Sequence, residues 1–282
     1  MRAMRKILGL WRWWIPLLLF SADAHAWGLY THVYFAQLLL WTTPLADPRF
    51  RKAVAACPRL VLAGACLPDL SLMGRYHGAA QLGETHGWEH AQRQLGAAED
   101  DAERALSLGF ACHLLADVIA HNHFVPAHEK IWPHIPVLTH AVAEWAMDRH
   151  IERHLFSTPE ELLDRHRHEL SGYMANRFGC TPREAWHSLR TLSSAEALLR
   201  ASRLHSICHY GARILDERMR QRFNHYLRET AGLMTQINRL IAGEAPSWQA
   251  DPQHGQAMRE RIGLCAPHQV RGRLPLPQNL FA

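Results

Sequence analysis

Hairpin chemistry is missing from this chain. There is no Asn-Gly, Asp-Gly or Gly-Gly pair, and Val and Ile together number 19 of 282 residues, which argues against a β-sheet protein. No C-x-x-C occurs among the six cysteines, so neither a thioredoxin-like redox pair nor a zinc ribbon is written here. The net charge is only +5, and the first 26 residues hold four basic residues against Asp23, so the remainder carries about +2. That is too weak to argue for nucleic-acid binding on charge alone. Past the first 26 residues, no segment reads as apolar enough to span a membrane. What is abundant is histidine, 21 residues, which directs attention to metal or proton-transfer chemistry. The 48% hydrophobic and 20% charged content excludes a disordered chain.

Residues 1–26 have the three parts of an export signal. Arg2, Arg5 and Lys6 are the positive start, Ile7–Phe20 is an apolar stretch interrupted by Arg12, and Ala24-His25-Ala26 fits the cleavage pattern. Removal after Ala26 leaves Trp27 as the first residue of an exported, periplasmic or secreted protein. An oxidising compartment allows cysteine pairing, and the spacing leaves the pairing open.

The remainder reads as helices. Phe223, Tyr226, Leu227, Thr230, Leu233, Met234, Ile237, Leu240 and Ile241 recur at three- and four-residue spacing, and Leu204, Cys208, Gly211 and Leu215 do so one helix earlier. Thr158-Pro159-Glu160-Glu161, Thr181-x-x-Glu184 and Ser193-x-x-Glu196 are start signals. Asp100, Asp101 and Glu103 suit the first turn of a helix running to about Ala120. The expectation is an all-α, single multi-helix domain over residues 27–243. An irregular tail over 244–282 follows, since the last 40 residues hold five Pro and four Gly.

Two apolar helices carry acid–histidine pairs four residues apart, His113 with Asp117 and His140 with Glu144. Four residues is one turn, so both members project from one face. A carboxylate in such surroundings is costly without a cation. Helices that each project a carboxylate and a histidine inward are how helical bundles build multinuclear metal sites. His121, His123 and Asp69, in Pro68-Asp69-Leu70, add to the case. His150, His154, His166 and His168 sit among Arg and Glu and read as solvated surface residues, while His205 and His209 read as core, surface or a minor metal site.

The residues Trp27-Gly28-Leu29-Tyr30-Thr31-His32, the Pro68-Asp69 turn, His113-x3-Asp117-x5-His123 and His140-x3-Glu144 together resemble the zinc-dependent phospholipase C and single-strand nuclease superfamily. The resemblance spans Trp27 to Glu144 by motif. It implies an all-helical, secreted phosphodiester hydrolase whose cleft holds three zinc ions. Position by position, Asp69, His86, His113 and Asp117 would hold one ion. Trp27, through its α-amine and carbonyl, would hold a second with His32, Asp117 bridging the two. His123, His140 and Glu144 would hold the third. His77 or His90 could replace His86, and His121 could replace His123 or stand behind the ligands. Asp69 is also the implied proton acceptor. The partner implied is a phospholipid or other phosphodiester, met by a monomer in transient contact with a membrane surface. The lipid-binding β domain of the toxin-like relatives has no counterpart in the residues here, so strong membrane attack is not expected.

Two other readings compete. A nuclease or nucleotidase on the same centre would need exposed aromatics to stack bases, for which Trp41, Trp88, Trp132 and Trp145 are candidates. A non-catalytic exported zinc-binding protein would have every coordination position filled by protein.

Overall fold

The computed structural model describes residues 28–132, 136–250, 260–262, 264–266, 270 and 276–281. The export signal and Trp27 lie outside these residues. Among those described, every regular element is helical, as the scarcity of β-branched residues and hairpin turns requires.

The chain opens with α1 (Leu29–Thr42), α2 (Pro48–Ala56), α3 (Pro58–Gly64) and the short α4 (Leu70–Gly74). α5 (Trp88–Ala97) leads into α6 (Asp101–Ile119), which passes through a π-helical turn at Ala120–Phe124 into α7 (Val125–Ile131). Then follow α8 (Pro136–Ile151), α9 (Pro159–Arg165), α10 (Arg167–Phe178), α11 (Pro182–Ala201), α12 (Leu204–Leu215), α13 (Met219–Leu233) and α14 (Ile237–Ile241).

Helix α6 is the axis of the molecule. Every residue from Ala105 to Ile119 is buried, and α1, α2, α3, α5, α13 and α14 all pack on it. Its start is fixed by Asp100, whose side chain accepts the Glu103 N–H. The run Asp101–Ile131 is in fact long and apolar enough to cross a bilayer, contrary to the reading that no such segment follows residue 26, but its apolar 18-residue stretch is wholly buried inside the protein. A helix hydrophobic on all sides is equally what the centre of a helical bundle demands.

Helices α3 and α6 approach each other closely. A Cβ on Gly109 would lie 2.0 Å from the Val61 carbonyl oxygen, and one on Gly64 would lie 2.4 Å from the Leu106 carbonyl oxygen. The two glycines therefore let the backbones touch. This contact presses the Ala65–Asp69 turn against the middle of α6, where His113 stands.

Most start signals act as read. Thr158 accepts the Glu161 N–H at the head of α9, and Thr181 with Glu184 forms a reciprocal capping box on α11. Ser193-x-x-Glu196 is different: both residues lie inside α11. Ser193 donates to Asp164 and Glu196 pairs with Arg200, so tertiary partners absorb the groups that would have capped a new helix. On α12 the buried stripe is Leu204, His205, Cys208 and Ala212, while Leu215 is exposed. The described tail residues are tied back to the bundle. The Trp248 carbonyl accepts from Trp88 Nε1 at 2.7 Å, and Leu280 exchanges bonds with Ser247 and Gln236.

Gly109→Ala should lower thermal stability by about 2–3 kcal/mol, because the added methyl must separate two backbones. Gly172→Ala, inside α10 with nothing within 4 Å of its Cβ position, should raise it by about 0.5–1 kcal/mol through propensity. Calorimetry on the pair checks both signs. Equal effects would remove the close-contact argument.

Candidate metal centre

Helix α6 and the π turn after it carry His113, Asp117 and His121 at successive four-residue steps, all completely buried. Asp117 is the hub. Its Oδ1 faces His32 Nε2 at 3.3 Å and His121 Nε2 at 3.7 Å. Its Oδ2 faces His113 Nε2 at 2.9 Å and His86 Nε2 at 3.4 Å. Asp69 Oδ1 stands 3.8 Å from both His113 Nε2 and His86 Nε2. Two groups thus bring donor atoms within 4.8 Å of one another: His32, His113 and Asp117, and Asp69, His86 and His113.

The imidazoles are oriented from behind. His113 Nδ1 donates to the Ala65 carbonyl at 2.7 Å, which leaves Nε2 as a lone pair aimed at the two aspartates. The α3–α6 glycine contact is what places that carbonyl. Thr85 Oγ1 donates to the Pro68 carbonyl at 2.5 Å and lies 3.4 Å from His86 Nδ1, joining the Asp69 turn to the segment that brings in His86. The rings of His32 and His113 stack with centroids 3.5 Å apart. Two imidazolium rings would repel at that distance.

Among the described residues, both ring nitrogens of His32, Nε2 of His113 and both oxygens of Asp117 are buried without a well-directed hydrogen bond. Converging lone pairs left in this way are costly unless a cation receives them. Carboxylate oxygens and imidazole nitrogens are the donors that suit zinc. The residues present therefore fit a divalent metal.

Charge follows the same logic. Burial pushes the Asp69 carboxyl up to about 6, helped by the negative charges of Asp117 and Asp148 and partly offset by His113 and His86. Burial also acts to raise Asp117, but the imidazoles of His113 and His32 outweigh it and hold this carboxyl well below the usual range. Glu144 is pushed well above it by burial and by Asp69, Asp148 and Asp117.

His140 and Glu144 on α8 form the second cluster, Nε2 to Oε1 at 2.6 Å. The His121 ring centroid lies 6.1 Å from that of His140, so His121 stands between Asp117 and this pair. His123 is nearly buried with its ring 5.5 Å from Trp248, and burial near Arg261 lowers its pKa to about 4. The π turn sets this division. The extra residue in the turn shifts the angular register of the residues around it, and Asn122 donates to the Val118 and Gln249 carbonyls there.

The alternatives to His86 point elsewhere. His77 bonds Thr191 at 2.7 Å, and His90 stacks on Phe178. The histidines read as solvated are partly engaged: His150 bonds Asn224 and His166 pairs with Glu169. His205 is buried. His128 is a core histidine, donating to the Phe124 carbonyl, its pKa pushed down to about 3 by burial and Arg222.

One residue escaped the sequence reading. Asp148, wholly buried on α8, accepts from Thr31 N at 3.0 Å and Thr31 Oγ1 at 2.8 Å, and pairs with Arg200 at 2.7 Å. It supplies the acidic group that the first turn of α1 lacks. A Cβ on Gly28 would fall 2.1 Å from Asp148 Oδ2, so glycine is required there. This anchor fixes the helix start from which His32 reaches Asp117. Its only trace in the sequence is the spacing His140, Glu144, Asp148, three acid or histidine positions on one helical face.

A family model described as zinc dependent phospholipase C matches residues 31–180. No curated protein and no solved structure matches the chain.

Asp148→Ala should lower thermal stability by about 3 kcal/mol, in the range for breaking a buried pair, and weaken zinc binding although Asp148 holds no metal. Calorimetry and zinc titration read the two effects; an unchanged zinc affinity would separate the α1 anchor from the centre. Zinc affinity should also fall as pH drops through about 6. There Asp69 takes up a proton, and a protonated carboxyl cannot ligate. Competition with a chromophoric chelator between pH 7.5 and 5 measures this; a flat profile would take Asp69 out of the ligand set.

Proposed function

Because the chain belongs to the zinc-dependent phospholipase C family, we propose that it is an exported hydrolase of phosphodiesters, with phospholipids as the main substrate class. The observation that carries the reading is the position of Asp117, one oxygen toward His32 and His121 and the other toward His113 and His86. That is the placement of a carboxylate that bridges two cations. Asp69, His86, His113 and Asp117 would hold one zinc. Asp117, His32 and the amine and carbonyl of Trp27 would hold a second. His140 and Glu144 would hold a third, together with His123 or with His121, which stands nearer to His140.

Zinc, when bound, lowers the pKa of a coordinated water and stabilises charge on a phosphoryl oxygen. The chain's own contribution is placement and proton transfer. Asp69 is the proton acceptor: burial already lifts its carboxyl to about 6, near the range where a general base works at neutral pH. Asp117, held ionised by the surrounding imidazoles, keeps its charge where the cations gather. Attack of water on phosphorus would release diacylglycerol and a phosphorylated head group.

Lipid is favoured over nucleic acid by the aromatics. Trp88, Trp132 and Trp145 are buried in the core, and of the four candidates for base stacking only Trp41 is exposed. The test begins with the zinc content of the export-processed protein. Hydrolysis of a phosphocholine ester, phosphatidylinositol and single-stranded DNA on the same sample comes next. Turnover of a lipid ester is expected. Activity confined to DNA would favour the nuclease reading, and bound zinc without turnover the non-catalytic one. Asp69→Asn should lower kcat by about 100-fold or more with KM changed only a few-fold, whereas a dominant KM effect would make Asp69 a substrate-binding residue. His113→Ala and Asp117→Asn should each lower the bound zinc.

A further inference from the structure

Helix α12 is apolar on two faces. One face, Leu204, His205, Cys208 and Ala212, packs into the protein, chiefly against α8. The other turns Ile207, Tyr210 and Ile214 to solvent at 59%, 68% and 65% exposure, followed by Leu215 at 59%. Positions 207, 210 and 214 fall on one line of a helix, and Gly211 between them adds no side chain that would interrupt it. Exposed large hydrophobics are unremarkable singly, but a contiguous ridge marks a contact surface.

Charge around the ridge indicates what it meets. Arg203, Arg213, Arg218 and Arg220 are all exposed within the same stretch. The acids there are Glu217, exposed, and Asp216, which is paired with Arg222. An apolar ridge rimmed by arginines, with a tyrosine whose hydroxyl can remain at the wet boundary, matches an anionic lipid surface. A second copy of the chain fits less well. Four side chains of this kind offer roughly 400 Å², about half of the ~800 Å² per partner that a stable protein interface buries, and the arginine rims of two copies would face each other.

One end of the ridge also lies level with the chemistry along the axis of α8. His205 lies 3.6 Å from Glu152, just past the end of α8, and the His209 ring centroid is 5.9 Å from that of His150, earlier in the chain. The helices therefore run antiparallel. Ile214 and Leu215, at the far end of α12, lie toward the half of α8 that carries His140 and Glu144.

We propose that the Ile207–Tyr210–Ile214 ridge of α12, with its rim of arginines, is the surface by which the protein docks on anionic phospholipid membranes. The proposal deepens the phospholipase reading and rests on it for its purpose, yet docking is measurable without catalysis.

Cosedimentation of the zinc-loaded processed protein with vesicles of phosphatidylcholine alone, or with phosphatidylglycerol added, is the test. Strong binding is expected only to the anionic vesicles, falling as salt rises. Ile207→Ser/Ile214→Ser and, separately, Arg213→Glu/Arg218→Glu should each weaken it about tenfold or more. Turnover of a water-soluble phosphodiester, below any micellar concentration, should be unchanged in both variants. Ile207→Trp should show a blue-shifted emission on adding anionic vesicles. Equal partitioning of wild type and both variants, no binding to anionic vesicles, or concentration-dependent dimerisation lost in the serine variant would each overturn the proposal. Absent turnover of every phosphodiester with vesicle binding intact would instead overturn the phospholipase reading and leave the docking surface standing.

Discussion

A carboxylate cannot be taken into the centre of a helical bundle unless positive charge goes with it. Asp117 is fully buried on α6, where every residue from Ala105 to Ile119 is buried, and is ringed by four imidazoles. Burial also acts against protonation of the His113 ring. Protons on these rings and a bound divalent cation are therefore competing sources of positive charge, and a ring that gives up its proton offers a lone pair to the cation. A divalent cation from outside the chain would supply that charge without protonating the rings, and the converging donor atoms of His32, His113 and Asp117 and of Asp69, His86 and His113 fit it. Metal binding energy at such a site is also folding energy, so stability and function draw on the same contacts.

The supporting structure works at backbone level. Two glycines allow α3 to touch α6, the touching brings the Ala65 carbonyl to His113 Nδ1, and that bond fixes which nitrogen faces the aspartates. A parallel arrangement fixes α1. Gly28 yields space to Asp148, Asp148 binds Thr31, and Arg200 neutralises Asp148 while lying 3.8 Å from the Tyr30 ring centre. Neither glycine contact touches the metal-binding atoms, yet a methyl group at either would move a ligand.

Much of this was legible in the sequence, because a helix turns a spacing into a direction. His113 with Asp117 and His140 with Glu144 needed only the four-residue repeat to be placed on common faces, and the all-helical class followed from composition and start signals. What was not legible depends on contacts between distant segments. The choice of His86 over His77 and His90 is made by a turn held through Thr85 and Pro68. Asp148 acts on Thr31 across 117 positions, and locally only its place one turn after Glu144 sets it apart from a surface acid. Ser193-x-x-Glu196 has the pattern of a helix start but lies within α11, where Asp164 and Arg200 take up its polar groups. The relation of His121 to His123 turns on a π-helical turn, a change of period that a regular 3.6-residue reading passes over.

The two central helices carry the same device and use it differently. α6 and the turn beyond it present His113, Asp117 and His121, and α8 presents His140, Glu144 and Asp148, each set rising one turn at a time along a face. In the first set all three members meet at Asp117. In the second, Arg200 and Thr31 already satisfy the third position, so Asp148 is removed from metal chemistry and becomes the anchor of α1. That difference makes α8 the coupling element: its first two acid–histidine positions face the centre, its third secures the helix bearing His32, and its remaining surface supports α12. A displacement of α8 would therefore act on His140, His32 and the exposed α12 ridge together. This gives a physical reason for so much of the α8 surface being occupied by buried polar and interhelical contacts.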